Sequence, residues 1–387
     1  MENWGDSYMH VDLLSLQKPK RAYTICGDLI VQERTAEAST IALFDGIGSG
    51  AKANISATLN AAMLIEMLKN GFTLREAGEK IAASMHAARS SNIPFAAFAV
   101  ARILNDGHAT ILTYEMPPPI FIQPGAAYIA GQRFFTMGGE VVGESHFSLR
   151  KGYGIMLVSD GVSQAGMGVN NFEGWGMNKL AYYVSEQMRI GRDFEATSRS
   201  ILNTVERLDG GYCADDTSIV VLTARKGSTV NIMTGPALDK KRDEEMVKAF
   251  LEAPGVKMVC GSTTAEIVAR HSGKKVGNCR VQGSYISPPQ YYIDGIDIAT
   301  EGAFSLNQLY NILDYNDAIY DKESCVSEMA LLLKAVDRIV FWLGGAENSA
   351  HNGIVFTQLG LFPRKKIIPF LEEKLRKMGK LVVRKEF

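Results

Sequence analysis

Four aspartates in this sequence combine a metal-binding residue type with positions that would hold it rigidly. Each stands at or beside the end of a segment of β-forming residues and next to a turn, and the four are Asp28, Asp45, Asp160 and Asp215. Turn formation alone explains any one of them, because Asp accepts local backbone hydrogen bonds and a following Gly adopts turn conformations freely. Together they offer the several hard oxygen ligands that two divalent cations about 4 Å apart require. The set predicts a two-metal hydrolytic site, provided that the fold brings the four side chains together.

The segments around these aspartates, taken in order, resemble the metal-dependent PPM-type protein phosphatases. Within that family the resemblance is to the bacterial branch typified by stage II sporulation protein E (SpoIIE). It covers about residues 8–224, and no single motif in it is specific. The matching segments are Gly27-Asp28, Phe44-Asp45-Gly46-Ile47-Gly48-Ser49-Gly50, Ser159-Asp160-Gly161 and Asp215-Asp216-Thr217-Ser218-Ile219-Val220-Val221. The resemblance implies a protein serine/threonine phosphatase of bacterial signalling, a phosphoric monoester hydrolase.

The resemblance also implies how the metal-binding residues divide the work. Asp45 would bridge two Mn²⁺ or Mg²⁺ ions, the carbonyl of Gly46 would contact one of them, and Asp160 and Asp215 would complete the coordination. Asp28 would bind a metal directly or through water. A metal-bridged hydroxide would then attack phosphorus in line with the seryl or threonyl oxygen, with no covalent phosphoenzyme. The substrate would be a phosphorylated protein, such as a regulator akin to an anti-sigma-factor antagonist.

Other residues near these motifs carry two interpretations each. Ile47 occupies the position where eukaryotic members of the family have a histidine, so that general acid is absent. The cationic residues Lys18, Lys20 and Arg21 lie near the position of a phosphate-binding arginine in those members, but most such side chains are simply solvated. Asp216 either orients Asp215 or accepts backbone hydrogen bonds, and the second interpretation is favoured. Cys26 is a candidate redox sensor, although a packing role is commoner for a cysteine.

The elements needed to position the aspartates fall into two blocks along the chain. In residues 1–225 we expect strands paired by hairpins, with the helices in separate groups, which predicts an α+β fold of antiparallel sheets flanked by helices. The resemblance gives this fold the layer order α-β-β-α. In residues 226–387 predicted strands at 230–233, 257–259 and 292–298 are each followed by a predicted helix, which indicates a smaller α/β domain. That second domain is expected to regulate the enzyme or to bind a ligand or partner.

One turn of the second domain is a candidate site for a small anion. Gly261, Ser262, Thr263 and Thr264 follow a predicted strand and open a predicted helix, with Thr263 and Glu266 spaced as a capping box. Such a turn directs backbone N–H groups and hydroxyls toward an anion. An ordinary capped helix start explains the same residues, and both interpretations stay open.

Composition limits the partners. The chain has 387 residues, 46% of them hydrophobic and 21% charged, and a net charge of −1, so no overall field attracts nucleic acid or an anionic membrane. The five cysteines are scattered without CxxC spacing, and the six histidines show no HExxH pattern, which argues against a zinc site. We find neither a signal peptide nor an apolar run long enough to span a bilayer, and we expect a cytoplasmic protein.

Two other functions fit the same residues. The first is a catalytically weak phosphatase-fold sensor whose C-terminal domain binds a small anionic ligand or a partner protein. The second is hydrolysis of a small phosphorylated metabolite, because the site chemistry does not reveal the size of the leaving group. Retention of all four aspartates favours an active phosphatase over the sensor.

Overall fold

The computed structural model describes residues 8–20, 25–48, 50–91, 95–168, 173–280, 288–316, 320, 324–346 and 360–387. The chain divides into two compact units. One comprises Met9–Glu33 and Glu37–Lys226, and the other comprises Gly227–Phe387 together with Tyr8 and Arg34–Ala36. The short segment Arg34–Ala36, which we expected in the first domain, therefore belongs with the second unit. No helix among the described residues has the length and apolar character needed to cross a membrane.

The first unit is built from two antiparallel sheets and two pairs of long helices. Its strands are β1 (Met9–Lys18), β2 (Asp28–Arg34), β3 (Ala38–Gly46), β4 (Ala96–Leu104), β5 (His108–Tyr114), β6 (Ile120–Gln123), β7 (Ala126–Ile129), β8 (Arg133–Met137), β9 (Glu140–Ser148), β10 (Gly154–Val158) and β11 (Thr217–Lys226). Its helices are α1 (Gly50–Lys69), α2 (Leu74–Ser90), the short α3 (Asp160–Ser163), α4 (Met177–Arg189) and α5 (Phe194–Leu208). One sheet has the order β1-β11-β10-β6-β7 and the other the order β2-β3-β4-β5-β9-β8.

The two sheets face each other, and each is covered on its outer side by a helix pair. In β3 every residue from Ala38 to Phe44 is buried. Successive side chains of a strand point to opposite faces of the sheet, so both faces of β3 must be covered. Phe44 packs with α1 and α2, and the corresponding core of the other sheet contains residues of α4 and α5. Phe121 of one sheet stacks on Phe147 of the other, with ring centroids 4.8 Å apart. The predicted α+β fold with layers α-β-β-α is confirmed.

Local signals placed several of these elements correctly. The Asn105-Asp106-Gly107 turn joins β4 to β5, with the N–H of Gly107 donating to the carbonyl of Leu104 at 3.0 Å. Thr73 caps α2 in a complete capping box with Glu76. Strand β2 runs over Asp28–Arg34, so Asp28 is its first residue.

The second unit is a mostly parallel sheet covered by helices. Its strands are β12 (Thr229–Thr234), β13 (Val256–Cys260), β14 (Gly277–Arg280), β15 (Gln290–Tyr292), β16 (Ile298–Thr300), β17 (Arg338–Leu343) and β18 (Leu381–Glu386). Its helices are α6 (Asp243–Glu252), α7 (Ser262–Ser272), α8 (Ala303–Ile312), α9 (Cys325–Ala335) and α10 (Arg364–Lys377). The order is β14-β15-β16-β13-β12-β17-β18, and the five strands from β16 to β18 are parallel.

Two expectations for this unit were wrong in detail. The single strand expected over 292–298 is two short antiparallel strands, β15 and β16, separated by a turn at Gly295, whose φ of +85° favours glycine. The capping box expected at Thr263 is absent, because α7 begins at Ser262, two residues before the expected start, and its cap is Gly261, which has no side chain to accept a hydrogen bond. Pairing between β15 and β16 accounts for the first of these differences.

Candidate metal centre

The four aspartates lie at strand ends contributed by both sheets of the first unit. Asp28 begins β2 and Asp45 is the second-last residue of the neighbouring β3. Asp160 follows β10 as the first residue of α3, and Asp215 lies just before β11, which pairs with β10. Each sheet thus supplies one pair of carboxylates. A sheet pair of this kind holds its strand ends stiffly, which suits residues that must keep fixed positions.

Asp45 lies within electrostatic reach of the other three carboxylates. Burial, followed by the charges of Asp28, Asp160 and Asp215, raises the pKa of Asp45 to about 9. A hydrogen bond with Asp160 also contributes to this shift in the pKa of Asp45. Like charges raise a carboxyl pKa strongly only when they are a few ångströms away. Residues far apart in the sequence are therefore neighbours in the structure.

Asp28 is the most deeply buried member of the group, at 3% exposure. Burial raises its pKa to about 6, nearby hydroxyls of Ser218 and Ser159 oppose that shift, and the charges of Asp216 and Asp160 add to it. Neither carboxylate oxygen of Asp28 accepts a hydrogen bond. The hydroxyl of Ser159 donates to the carbonyl of Asp216, and that of Ser218 accepts from Gln17. A buried carboxylate without a partner is costly and fits a position beside a cation.

One cation stands beside the carboxylates. The ammonium of Lys20 lies 3.5 Å from Oδ1 of Asp215. Burial and the charge of Asp215 raise the pKa of Asp160, whereas the charge of Lys20 opposes that rise. Lys18, by contrast, pairs with Glu206 away from this group, and Arg21 lies outside the described residues. Of the three basic residues considered from the sequence, Lys20 is the one that the structure places at the candidate centre.

Asp216 fixes the backbone around the centre. Its Oδ1 accepts the N–H of Lys20 at 2.8 Å and its Oδ2 accepts the N–H of Gly27 at 2.9 Å. The residue is 6% exposed, so these bonds are shielded from water. Because Gly27 precedes Asp28, Asp216 connects the segments that carry Asp28 and Lys20 to the start of β11. The interpretation of Asp216 as a backbone acceptor is confirmed.

Two glycines allow backbone segments to approach closely at the centre. A Cβ on Gly46 would lie 2.0 Å from the carbonyl oxygen of Ala53 in α1. A Cβ on Gly161 would lie 2.3 Å from the carbonyl oxygen of Asp216. Any larger residue would push α1 away from β3, or α3 away from the loop before β11. The Asp-Gly pairs thus serve close packing as well as turn formation.

The carboxylates are neighbours, but their oxygens are not arranged closely enough to coordinate a metal ion. Within the described ranges, no three His, Cys, Asp or Glu side chains are close enough together to hold a metal ion as they are. The two observations agree because charges act on a pKa over about 4–6 Å, whereas oxygen ligands bind Mg²⁺ at about 2.0–2.1 Å. The donor set consists of carboxylate oxygens, which suit hard cations such as Mg²⁺ and Mn²⁺. These residues therefore fit a divalent metal site.

Two other sequence candidates have different surroundings. Burial, followed by the charge of Asp28, raises the pKa of the Cys26 thiol to about 12, which keeps it protonated and disfavours a redox-sensing role.

In the second unit, the hydroxyl of Thr264 accepts the N–H of Gly235 at 2.8 Å and holds the loop after β12. Ser262 and Thr263 are exposed. The turn from Gly261 to Thr264 lies at the carboxyl end of β13, in the second unit.

Comparison with protein-family models gives a match that covers most of the first unit. Residues 36–225 match the model of the family described as stage II sporulation protein E (SpoIIE). The matched range contains Asp45, Asp160 and Asp215, and Asp28 precedes it. No curated protein matches this chain.

Several solved structures are similar at low identity. The PP2C phosphatase domain of SpoIIE from Bacillus subtilis, with a fragment of its regulatory domain, is 18% identical with a TM-score of 0.48. The match covers 57% of this chain and 65% of that chain, so this chain spans less than two thirds of it. The RsbU and RsbW domains of a Mycobacterium tuberculosis protein are 18% identical (TM-score 0.49), covering 70% of this chain and 71% of that one. RsbX in complex with magnesium is 17% identical (TM-score 0.41), covering 56% and 96%.

Proposed function

Because residues 36–225 match the SpoIIE family model, we propose that this chain is a metal-dependent protein serine/threonine phosphatase of the PPM type. The observation that carries the proposal is the electrostatic coupling of Asp45 to Asp28, Asp160 and Asp215. Neighbouring carboxylates that raise the pKa values of Asp28, Asp45 and Asp160 destabilise a folded protein unless a cation balances them. Turn formation does not require the carboxylates to be close together, whereas the binding of divalent cations does.

In this proposal Asp45, Asp160 and Asp215 hold two Mn²⁺ or Mg²⁺ ions, with the Gly46 carbonyl and Asp28 as further ligands. When bound, such a pair lowers the pKa of a water molecule and neutralises charge on phosphoryl oxygens. The protein's own contribution is to keep these oxygens fixed at the ends of paired strands. Asp216 does so for Asp28 by holding the N–H of Gly27.

Lys20 is assigned to the phosphoryl group of the substrate. Its ammonium stands beside Asp215 and remains 43% exposed, so it is both close to the carboxylates and accessible to a ligand. A positive charge there orients the phosphate and balances charge that develops on its oxygens. Asp216 fixes this residue as well, through the backbone N–H of Lys20. The substrate proposed is a phosphoserine or phosphothreonine protein of a bacterial signalling pathway.

The test is hydrolysis of a phosphoserine peptide by the purified full chain, with and without Mn²⁺. Asp45→Asn and Asp160→Asn should each lower kcat by at least about 100-fold, the upper end of the loss seen when even an outer partner of a metal is removed. Asp106→Asn is the matched control, because Asp106 lies in the hairpin turn after β4, at the opposite end of the β3–β4 pair from Asp45.

The substrate class is tested by comparing kcat/KM for the phosphopeptide with that for p-nitrophenyl phosphate and for small sugar phosphates. A protein phosphatase should prefer the phosphopeptide. Activity restricted to small esters would support the metabolite hydrolase. Absence of any Mn²⁺-dependent activity, or unchanged activity in the Asp45 and Asp160 variants, would refute a catalytic role for this centre.

A further inference from the structure

The second unit contains a cavity of about 590 Å³ at the carboxyl edge of its parallel sheet. The walls come from the loop after β12, the ends of β17 and β18, and the first turns of α10. The residues that line the cavity include Leu238, Arg242, Gly344, Arg364, Lys365 and Phe387. A volume of this size lies within the range of about 300–1,000 Å³ typical of small-molecule sites.

The strand order places the cavity where ligands bind in sheets of this type. The five parallel strands follow the chain order β12, β13, β16, β17, β18, but they lie in the sheet as β16-β13-β12-β17-β18. The chain therefore moves outward in one direction from β12 and later restarts on its other side at β17. Loops at such a reversal separate, and the crevice outside the carboxyl ends of the strands is the usual ligand site. The cavity lies at this edge, next to the reversal.

The backbone around the cavity is held in place by hydrogen bonds between its loops. The carbonyl oxygen of Phe387 accepts the N–H groups of Leu238 and Gly345, at 3.1 and 2.9 Å. Arg364 adds a side-chain connection, since its Nη2 donates to the carbonyl of Gly344 at 2.8 Å. A Cβ on Gly235 would lie 1.3 Å from Nη1 of Arg364, so the glycine is required for the guanidinium to occupy this position. The cavity wall is preorganised, which lowers the entropic cost of binding.

The cavity is positively charged near α10. That helix starts with three consecutive basic residues, has no acidic residue in its first turn, and its cap, Pro363, makes no side-chain hydrogen bond. Basic residues at a helix amino end oppose the helix dipole, so the sequence there is the reverse of what helix stability favours. An anion bound in the cavity would offset both the positive charge of these side chains and the partial positive charge of the helix amino end. The basic lining residues are Arg242, Arg364, Lys365 and Arg384, against the acidic Asp239 and Glu386.

The buried carboxylate of Glu372 holds the guanidinium of Arg384 through two hydrogen bonds of 2.9 and 2.8 Å. Arg364, by contrast, has carbonyl oxygens of the cavity wall among its partners. Lys365 is exposed at the mouth of the cavity. Arg364 and Lys365 are consecutive, so the positive charge of the lining is densest at the amino end of α10.

The opposite wall is apolar and carries flat groups. Leu238 lines this wall and is 76% exposed, so its side chain is accessible to a ligand. The Phe387 ring stacks with Trp342 at a centroid distance of 5.9 Å. The guanidinium of Arg242 lies 5.2 Å from the Phe387 ring centroid. Arginine planes and aromatic rings are surfaces on which planar ligands stack.

We propose that this cavity binds a small molecule that joins a phosphate group to a flat apolar group, with the size and chemistry of a purine mononucleotide. The phosphate lies against Arg364, Lys365 and the amino end of α10. The flat group lies against Leu238, Phe387 and Arg242. This site is independent of the phosphatase proposal, because its residues belong to the second unit and none of them is among the four aspartates.

The experiment is calorimetric titration of the full chain with AMP in the presence of EDTA, so that no divalent metal can bind the nucleotide phosphate. AMP should bind saturably at one site, and both adenosine and inorganic phosphate should bind more than about tenfold more weakly. Lys365→Gln should weaken AMP binding by more than about tenfold, the value of one strong charge-assisted contact. Arg364→Gln should abolish it.

The matched control is Lys377→Gln, which removes the same charge from the other end of α10, where the side chain is 75% exposed and pairs with Glu373. It should bind AMP like the parent protein. Lys365→Gln is the decisive variant, because Arg364→Gln also removes a hydrogen bond to the loop after β17. Circular dichroism checks that the Arg364 variant folds. The proposal is overturned if AMP does not bind, if the Lys365 and Lys377 variants bind it equally, or if phosphate or adenosine alone binds as tightly as AMP.

Discussion

At the scale of single residues, the candidate centre is defined by carboxylates that are expensive to bring together. Asp28 and Asp45 both have raised pKa values, and the cause named first for each is burial, with neighbouring aspartates adding to it. A fold keeps such groups only where another interaction offsets their repulsion. We attribute that interaction to divalent cations, and the attribution has a consequence for stability as well as for catalysis.

In EDTA the protein should lose stability as the pH rises. The pKa of Asp45 increases from 3.8 to about 9 on folding, so the folded state binds more protons than the unfolded state between these values. Stability linked to Asp45 is therefore fully present below about pH 4 and is lost as pH rises toward 9, and Asp28 contributes similarly up to about pH 6. Urea unfolding at pH 5.5 and pH 8.5 should differ by at least about 1 kcal/mol, the value of one pKa unit.

Two comparisons isolate the cause of that pH dependence. Asp45→Asn should be less sensitive to pH than the parent protein, because the amide does not ionise, whereas Asp106→Asn should leave the dependence unchanged. Excess Mn²⁺ should restore stability at pH 8.5, since a cation favours the ionised carboxylates. A parent protein that is more stable in EDTA at pH 8.5 than at pH 5.5 would contradict the coupling described here.

Asp216 tests whether a residue without a proposed metal contact still governs the site. Asp216→Ala removes the acceptors of the Lys20 and Gly27 N–H groups and should lower kcat by about 10–100-fold, as the loss of other supporting residues around metals does. Asp216→Asn keeps one acceptor oxygen and should recover part of that activity. Phosphopeptide kinetics with a Mn²⁺ titration provide the measurement. Equal activity in both variants and the parent would remove Asp216 from the site.

At the scale of elements, the junction between β3 and α1 sets the position of Asp45. The chain leaves β3 at Gly46, and the first turns of α1 pass directly over that glycine, close to Ala53. Helix α1 is anchored by Ala57, Ala61 and Leu64, which pack against the sheet. The helix cannot move outward without breaking that core. The short side chain at position 46 is thus a requirement of packing.

Gly46→Ala should therefore damage both stability and activity. Its Cβ would lie 2.0 Å from the carbonyl oxygen of Ala53, which is backbone and cannot rotate away. We expect a loss of about 1–3 kcal/mol in the free energy of unfolding, typical of overpacking in a core, together with loss of Mn²⁺-dependent activity. Gly131→Ala is the control, because a Cβ there meets nothing within 4 Å, and it should stay close to the parent in both assays.

At the scale of the whole molecule, two units with separate cores suggest separate functions. The first unit has cores between each sheet and its helices, and the second unit has its own cores on both sides of the parallel sheet. Boundaries at 225 and 226 for a phosphatase domain and a regulatory or ligand-binding domain remain our proposal. The division observed between Lys226 and Gly227 is compatible with it.

Scanning calorimetry should show two transitions that respond to different ligands. Mn²⁺ should raise the temperature of one transition and AMP that of the other, because a ligand stabilises only the unit that binds it. A fragment ending at Lys226 should retain the Mn²⁺-sensitive transition. A single transition shifted equally by both ligands would show instead that the two units unfold together, and would argue against independent domains.

Part of this architecture was determined by the sequence itself. The capping box at Thr73 and the hairpin turn at Asn105–Gly107 are local structures, specified by residues within a few positions of one another. The order of the four aspartate motifs indicated the family whose model residues 36–225 match, because that order is a property of the sequence itself. Local interactions of this kind do not depend on which strands later become neighbours.

Tertiary structure alone decided the rest. Pairing between β15 and β16 divided a segment that reads as one strand, and the role of Asp216 depends on the N–H groups of Lys20 and Gly27, nearly the whole first unit away in sequence. The cavity of the second unit exists because β12 and β17 lie side by side, with loops that no local signal relates. Contacts between distant segments arise from packing and strand order, and these are properties of the folded chain as a whole.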